Sequence, residues 1–117
     1  MTKWEVVYYT DTRGSCPVKE FIDSRTAANQ AKIMAFIALL EERGPNLPRP
    51  YADLLRDGIH ELRLKLSGDQ MRILYFFAHR RRIVLSHFFR KNAAKVPNRE
   101  ILRAATARDD FLRRHPG

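Results

Sequence analysis

The chain reads as an α+β domain: a small antiparallel sheet, made of a first strand plus a three-strand meander, with helices on one face and a closing C-terminal helix. Three observations predict this. Residues 60–66, His60-Glu61-Leu62-Arg63-Leu64-Lys65-Leu66, alternate with the period of two that a half-buried strand requires. Two further runs rich in β-branched and aromatic residues follow, at about 70–78 and 83–89, and the turns between them are short enough to imply antiparallel neighbours. Ahead of the meander, residues 27–43 carry apolar side chains at helical spacing and stop at Gly44-Pro45.

In chain order, Trp4-Glu5-Val6-Val7-Tyr8-Tyr9 reads as the first strand, ended by the polar stretch Thr10 to Ser15. Pro17 suits a first helical turn, and Val18, Phe21 and Ile22 make a short amphipathic helix. The next helix, from about Ala27 to Arg43, is expected to bury Ala31, Met34, Ile37, Ala38 and Leu40. A proline-punctuated connector, Asn46 to Pro50, leads to Leu54-Leu55, read as one short turn, and then to strands at 59–66, 70–78 and 83–89. The last two are joined by the basic turn His79-Arg80-Arg81-Arg82. A last helix begins near Pro97 with Ile101, Ala104, Ala105 and Phe111 as its buried stripe, and Arg99, Arg103, Arg113 and Arg114 lying off it. No repeat, linker or low-complexity segment interrupts residues 1–117, so one domain is expected.

The first hairpin carries the clearest functional signal. With Gly68-Asp69 as a two-residue turn, Ser67 faces Gln70, Leu66 faces Met71, and Lys65 faces Arg72. Like charges directly opposite on a sheet are unfavourable by roughly 0.2–1 kcal/mol. The alternation puts Leu62, Leu64, Leu66, Ile73, Tyr75 and Phe77 on one face. Glu61, Arg63, Lys65 and Arg72 fall on the other, with Leu74 and Phe76 further along. The helices precede the meander and are expected to cover the leucine face, leaving the second face available. That face is basic at the turn and apolar toward Phe76, a shallow groove suited to a polyanion.

Composition supports a partner of that kind. The net charge is +9, and residues 60–100 hold ten Lys and Arg against three acids. Sixteen of the 22 basic residues are arginine, which favours bidentate phosphate contact and base stacking over a merely solvated coat. A surface that pairs with an acidic protein is the plainer alternative. An apolar fraction of 44% and seven Phe describe a globular chain, and 117 residues can bury a core without staples. The lone Cys16 fits a reducing compartment. No apolar run reaches the ~18 residues of a membrane span, and the first residues lack a signal-peptide layout. A soluble cytoplasmic protein with no membrane partner is expected.

Cys16 stands alone and His60, His79, His87 and His115 are scattered, so no metal-ligand spacing exists. Gly68 belongs to a hairpin rather than a phosphate-cradling loop, and neither Ser67 nor Ser86 sits in a nucleophile elbow. No metal or cofactor is therefore expected. What remains is Arg63, Lys65 and Arg72, with His87, Arg90 and Lys91 at the end of the last strand. Such a set suits metal-free RNA cleavage, in which the 2′-hydroxyl attacks the adjacent phosphate. That reaction needs a proton acceptor, cations around a dianionic phosphorane, and a donor for the 5′-oxygen. Lys65 is a conceivable base among clustered cations. Arg63, Arg72 and Arg90 are bidentate phosphate donors. His87 is a proton donor or a packed core histidine, and Tyr75 reads as core. Arg80, Arg81 and Arg82 form a phosphate or ribosome contact or a solvated turn. Lys95 adds a phosphate contact or solvates the last helix with Arg99.

In order and spacing, Glu61-Leu62-Arg63, the Gly68 turn, Arg72-Ile73-Leu74-Tyr75-Phe76-Phe77, and His87-Phe88-Phe89-Arg90-Lys91 before Pro97 and a closing helix resemble HigB-like toxins. These form the phage-related branch of the RelE/ParE superfamily of type II toxin–antitoxin systems, and the resemblance covers nearly the whole chain. It implies a microbial-RNase-like sheet and ribosome-dependent mRNA cleavage that inhibits translation. It also implies an antitoxin partner, often a helix-turn-helix DNA-binding protein. By position, Arg63, Lys65, Arg72, Arg90 and Lys91 match the basic residues such toxins use on RNA. The family pattern often has two lysines where Arg90-Lys91 stands, so acid–base work there falls to Lys91. Relatives that place an acid–base His or Tyr near the C-terminus have no counterpart here, since His115 precedes Pro116 in the tail. His87 is then the first choice of acid. Two alternatives stay open: a ParE-like inhibitor of DNA gyrase, and a non-catalytic basic RNA- or ribosome-binding protein.

Overall fold

The predicted meander forms the centre of the molecule. The computed structural model describes residues 4–117, so the first three residues of the expected domain lie outside the described residues. Strands β3 (Ile59–Leu66), β4 (Asp69–Ala78) and β5 (Arg82–Arg90) pair antiparallel in succession. They are extended on one side by β2 (Ala52–Arg56) and on the other by β1 (Glu5–Tyr8), giving the order β1-β5-β4-β3-β2. Helices α1 (Pro17–Asp23) and α2 (Ala27–Arg43) lie between β1 and β2 in sequence, and α3 (Asn98–Arg114) closes the chain. The α+β architecture is as the sequence predicts. The sheet is mixed rather than wholly antiparallel, because β1 lies parallel to β5, while the two helices that follow β1 carry the chain to β2 at the opposite edge.

The residues read as a short turn at Leu54-Leu55 form the edge strand β2. Asp57 and Gly58, both at positive φ, make a two-residue hairpin that joins β2 to β3. The first hairpin of the meander also differs from expectation. Its turn is Ser67-Gly68, with φ of 50° and 88°, so Leu66 pairs with Asp69, Lys65 with Gln70, and Arg63 with Arg72. A type I′ turn needs two central residues at positive φ and takes glycine in the second place, which Ser67-Gly68 satisfies. The pairing moves by two residues, so each side chain keeps the predicted face.

On one face, Leu62, Leu64, Leu66, Ile73 and Tyr75 pack beneath Val18 and Ile22 of α1 and Ile33, Ile37 and Leu40 of α2. The buried stripe of α2 is thus Ile33, Ile37 and Leu40, with Phe36 beside it, whereas Ala31, Met34 and Ala38 are exposed. Thr26 caps this helix, its Oγ1 accepting from the Asn29 amide at 3.2 Å. Gly44 ends it at a positive φ, and a Cβ there would lie 2.2 Å from Trp4 Nε1, so only glycine admits the indole.

The second face is not left available along its length. Ile101, Ala104, Ala107 and Phe111 of α3 cover Leu74, Phe76, Ala78 and Val84. The stripe includes Ala107, while Ala105 is only half-buried. The far end of α3 is tied down where Tyr9 donates to Asp110 at 2.6 Å and Arg114 Nε reaches the same carboxylate at 3.0 Å. The hairpin end of this face, with Arg63 and Arg72, lies outside that cluster. None of the helices among the described residues is long and apolar enough to cross a membrane.

Candidate functional site

Beyond the N-terminal start of α3, the strand alternation brings Glu61 and Arg63 of β3 beside Arg72 of β4. Arg63, not Lys65, is what Arg72 faces across the pairing. The like-charge conflict is resolved within the protein. Glu61, only 3% exposed, accepts from Arg72 Nε at 3.1 Å through Oε1 and from Arg63 Nε at 3.0 Å through Oε2. Asp53 of β2 takes Arg63 Nη2 at 3.3 Å and Arg49 Nη2 at 3.0 Å. The result is an alternating chain, Arg49–Asp53–Arg63–Glu61–Arg72, with one more cation than anion. Its hydrogen bond to Arg49 is the main cause that holds the Asp53 carboxyl below the usual range.

Arg72 is 7% exposed. Burial lowers the proton affinity of its guanidinium, the Glu61 charge raises it again, and Arg63 lowers it further. It remains a cation at neutral pH. A charge so placed costs several kcal/mol unless paired and hydrogen-bonded. Nε is satisfied by Glu61 and Nη1 donates to the Met71 carbonyl at 2.9 Å. Nη2 has no hydrogen bond among the described residues, yet no buried side-chain nitrogen or oxygen there lacks a partner, so Nη2 reaches solvent.

That solvent is a cleft of about 480 Å³. It is lined by Glu61, Arg63 and Arg72 of the sheet and by Lys91, Lys95 and Val96 of the 91–96 loop. Five cations (Arg56, Arg63, Arg72, Lys91 and Lys95) line it against the two carboxylates of Asp53 and Glu61. Leu55 and Ile101 add apolar surface to its lining. Lys91 extends the strand pairing through its amide, 2.8 Å from the Gln70 carbonyl, and its Nζ donates to the Ala94 carbonyl at 3.1 Å.

Four of the ten predicted site residues therefore meet in one cleft: Arg63, Arg72, Lys91 and Lys95. Lys65 is exposed and lies nearer the hairpin tip, in an adjoining depression that it shares with Lys32, Gln70, Arg63 and Arg72. Arg90 pairs with Met71, on the face of α1 and α2, and bridges to Asp69 at 3.2 Å, so it does not join Arg72. Arg80, Arg81 and Arg82 sit at the other end of β4, about 20 Å from Arg72 at the rise of an extended strand. There Arg82 Nε approaches Glu5 at 3.4 Å and Arg81 lies over the Trp4 ring.

His87 does not fit the role of proton donor to a bound substrate, because it is 1% exposed. A bulge explains its place: Leu74 pairs with His87 but Tyr75 with Leu85, so Ser86 is an extra residue in β5. The bulge turns His87 toward α3, where Nε2 meets Glu100 at 2.9 Å and Nδ1 meets Ser86 Oγ at 2.8 Å. Burial pushes its imidazole down to about 4, with Arg103 adding to this and Glu100 opposing it. His87 is a neutral hinge-pin between sheet and helix. Tyr75 is core, 1% exposed, and burial raises its phenol.

Sequence reasoning missed the partners Glu61, Asp53 and Arg56. Glu61 was within reach, since an acid two residues before Arg63 on the same strand face predicts pairing. Asp53 and Arg56 depend on β2, whose signal is the Asp57-Gly58 turn. No group of three or more His, Cys, Asp or Glu placed to hold a metal ion occurs among the described residues.

No protein among curated sequences matches this chain. A family model does, described as phage derived protein Gp49-like (DUF891), and it matches residues 20–109. That span runs from α1 into α3 and contains every residue of the cleft. The chain belongs to the Gp49-like phage-derived protein family, a toxin family of toxin–antitoxin systems related to the RelE-like toxins.

Proposed function

We propose that this chain is the HigB-like toxin of a type II toxin–antitoxin pair and cleaves mRNA on the ribosome, inhibiting translation. The observation that carries the reading is the incompletely neutralised Arg63–Glu61–Arg72 group, which lines a cleft of nucleotide size together with Lys91 and Lys95. Two guanidiniums fixed side by side suit a phosphodiester, and they suit the phosphorane better, because its second negative charge develops only as the 2′-oxygen attacks. The 2′-hydroxyl loses its proton as the O2′–P bond forms and the P–O5′ bond breaks. The products are a 2′,3′-cyclic phosphate and a 5′-hydroxyl.

Arginine does not exchange protons at neutral pH, so proton transfer falls to lysines. Lys91, whose ammonium reaches the cleft from the loop, serves the leaving 5′-oxygen, and Lys65 at the hairpin side is the candidate acceptor. The partner is a cognate antitoxin with a helix-turn-helix DNA-binding domain. Induction of the protein followed by mapping of RNA 5′ ends tests the reading. New 5′-hydroxyl ends inside translated regions are expected. Intact mRNA together with broken chromosomal DNA contradicts it and assigns the target to gyrase.

A further inference from the structure

One carboxylate holds two guanidiniums, and each is gripped at its Nε edge: Arg72 by Oε1 of Glu61 and Arg63 by Oε2. One terminal nitrogen of each is left over, since neither Arg72 Nη2 nor Arg63 Nη1 has a hydrogen bond among the described residues. The grip is unequal. Arg63 is also held by Asp53, whereas among the described residues Arg72 has no second anion and only the Met71 carbonyl besides. Glu61 itself is almost fully buried, with both oxygens engaged by charged donors, so it is not positioned to take a proton from RNA.

We propose that Glu61 is a positioning residue, which holds Arg72 and Arg63 side by side so that Arg72 Nη2 and Arg63 Nη1 grip a single phosphate. This rests on the reading of the cleft as the site for RNA. It assigns Glu61 an action exerted almost wholly through Arg72, because Arg63 keeps Asp53 when Glu61 is lost. A glutamine at 61 offers one acceptor and one donor to two donors, so one guanidinium must let go, and Arg72 is the one with less to hold it.

A double-mutant cycle on RNA affinity tests this. The probe is a short fluorescent single-stranded RNA with 2′-O-methyl sugars, which cannot be cleaved, and folding of each variant is followed by thermal melting. Loss of a charge-assisted phosphate contact predicts about 30-fold weaker binding for Arg72→Ala and about tenfold for Glu61→Gln. The double variant is expected to bind no worse than about 30-fold below the parent, because a positioning residue has nothing left to position. A double variant about 300-fold weaker, the product of the two losses, overturns the proposal. So does tighter binding by Glu61→Gln, which is what removal of a repelling negative charge alone produces. Should Glu61→Gln fail to fold, Glu61→Asp is measured in both backgrounds; loss in the parent but none beside Arg72→Ala supports the proposal, and equal loss in both overturns it. If Arg72→Ala binds the RNA as the parent does, it is the reading of the cleft that fails.

Discussion

The two ends of one sheet face follow the same strand alternation and come to opposite chemistries. At one end Leu74, Phe76, Ala78 and Val84 lie sealed beneath Ile101, Ala104, Ala107 and Phe111. At the other, Arg72 on β4 and Glu61 and Arg63 on the neighbouring β3 occupy positions on the same face, and with Lys91, Lys95 and Val96 of the 91–96 loop they line an open cleft. What separates the two is where α3 begins. The helix roof makes the apolar end a core, and its absence makes the charged end a site. The difference teaches that this cleft is a piece of core in which a charge network replaces the packing.

The largest effect is expected at the apolar end. Phe111 is 4% exposed and its ring meets Phe76 edge-on at 6.1 Å. Phe111→Ala should cost about 3–5 kcal/mol in urea denaturation. A loss below about 1 kcal/mol would mean that the roof contributes little to folding. At the charged end the pattern should invert. Arg72→Ala should lower the rate of mRNA cleavage by about 10²-fold or more, the usual loss when one preorganised donor is removed. Its stability should fall much less than that of Phe111→Ala, since Glu61 keeps Arg63. Similar destabilisation by both substitutions would erase the distinction between core and site.

The boundary between the two ends is His87, and it predicts a pH dependence. Its folded value lies near 4 against an ordinary 6.5. Between these values the unfolded chain binds the proton and the folded chain does not, so the stabilising contribution is complete above pH 6.5 and is lost progressively down to pH 4. His87→Gln should flatten that part of the stability curve, as read by melting temperature from pH 4 to pH 7. An unchanged slope would show that other groups cause it.

Smaller effects separate the cations. Lys65→Ala should weaken RNA binding less than Arg63→Ala, because Lys65 lies outside the main cleft. Arg80→Ala, at the remote turn, should change it by less than about twofold, as expected for a lone exposed charge at physiological salt. A loss at Arg80 matching that at Arg63 would shift the interface to the other end of the sheet.

Local signals were legible where physics is local. Period-two alternation placed the β3 and β4 side chains on their faces, and Pro17 and Gly44-Pro45 bounded helices α1 and α2. The Asp57-Gly58 hairpin was equally local, but the prolines before it drew attention to a connector. Other features were not written locally. Nothing near Ser86 announces the extra residue that turns His87 toward α3. The face on which α3 settles is decided by long-range packing, so the groove expected to be open throughout is open only at one end. The cationic half of the site was visible as composition and spacing. Its carboxylates were hidden because a sum of charges does not reveal which of them touch.

The most direct test exchanges geometry for charge at the centre of the cleft. Arg72→Lys keeps the positive charge but not the fork that holds Glu61 and a phosphate at once. Programmed ribosomes are incubated with the parent and with this variant, and new 5′-hydroxyl ends on the mRNA are counted. The account predicts cleavage by the parent and at least a tenfold loss for Arg72→Lys at unchanged melting temperature. Cleavage by the variant at the parent's rate would contradict it.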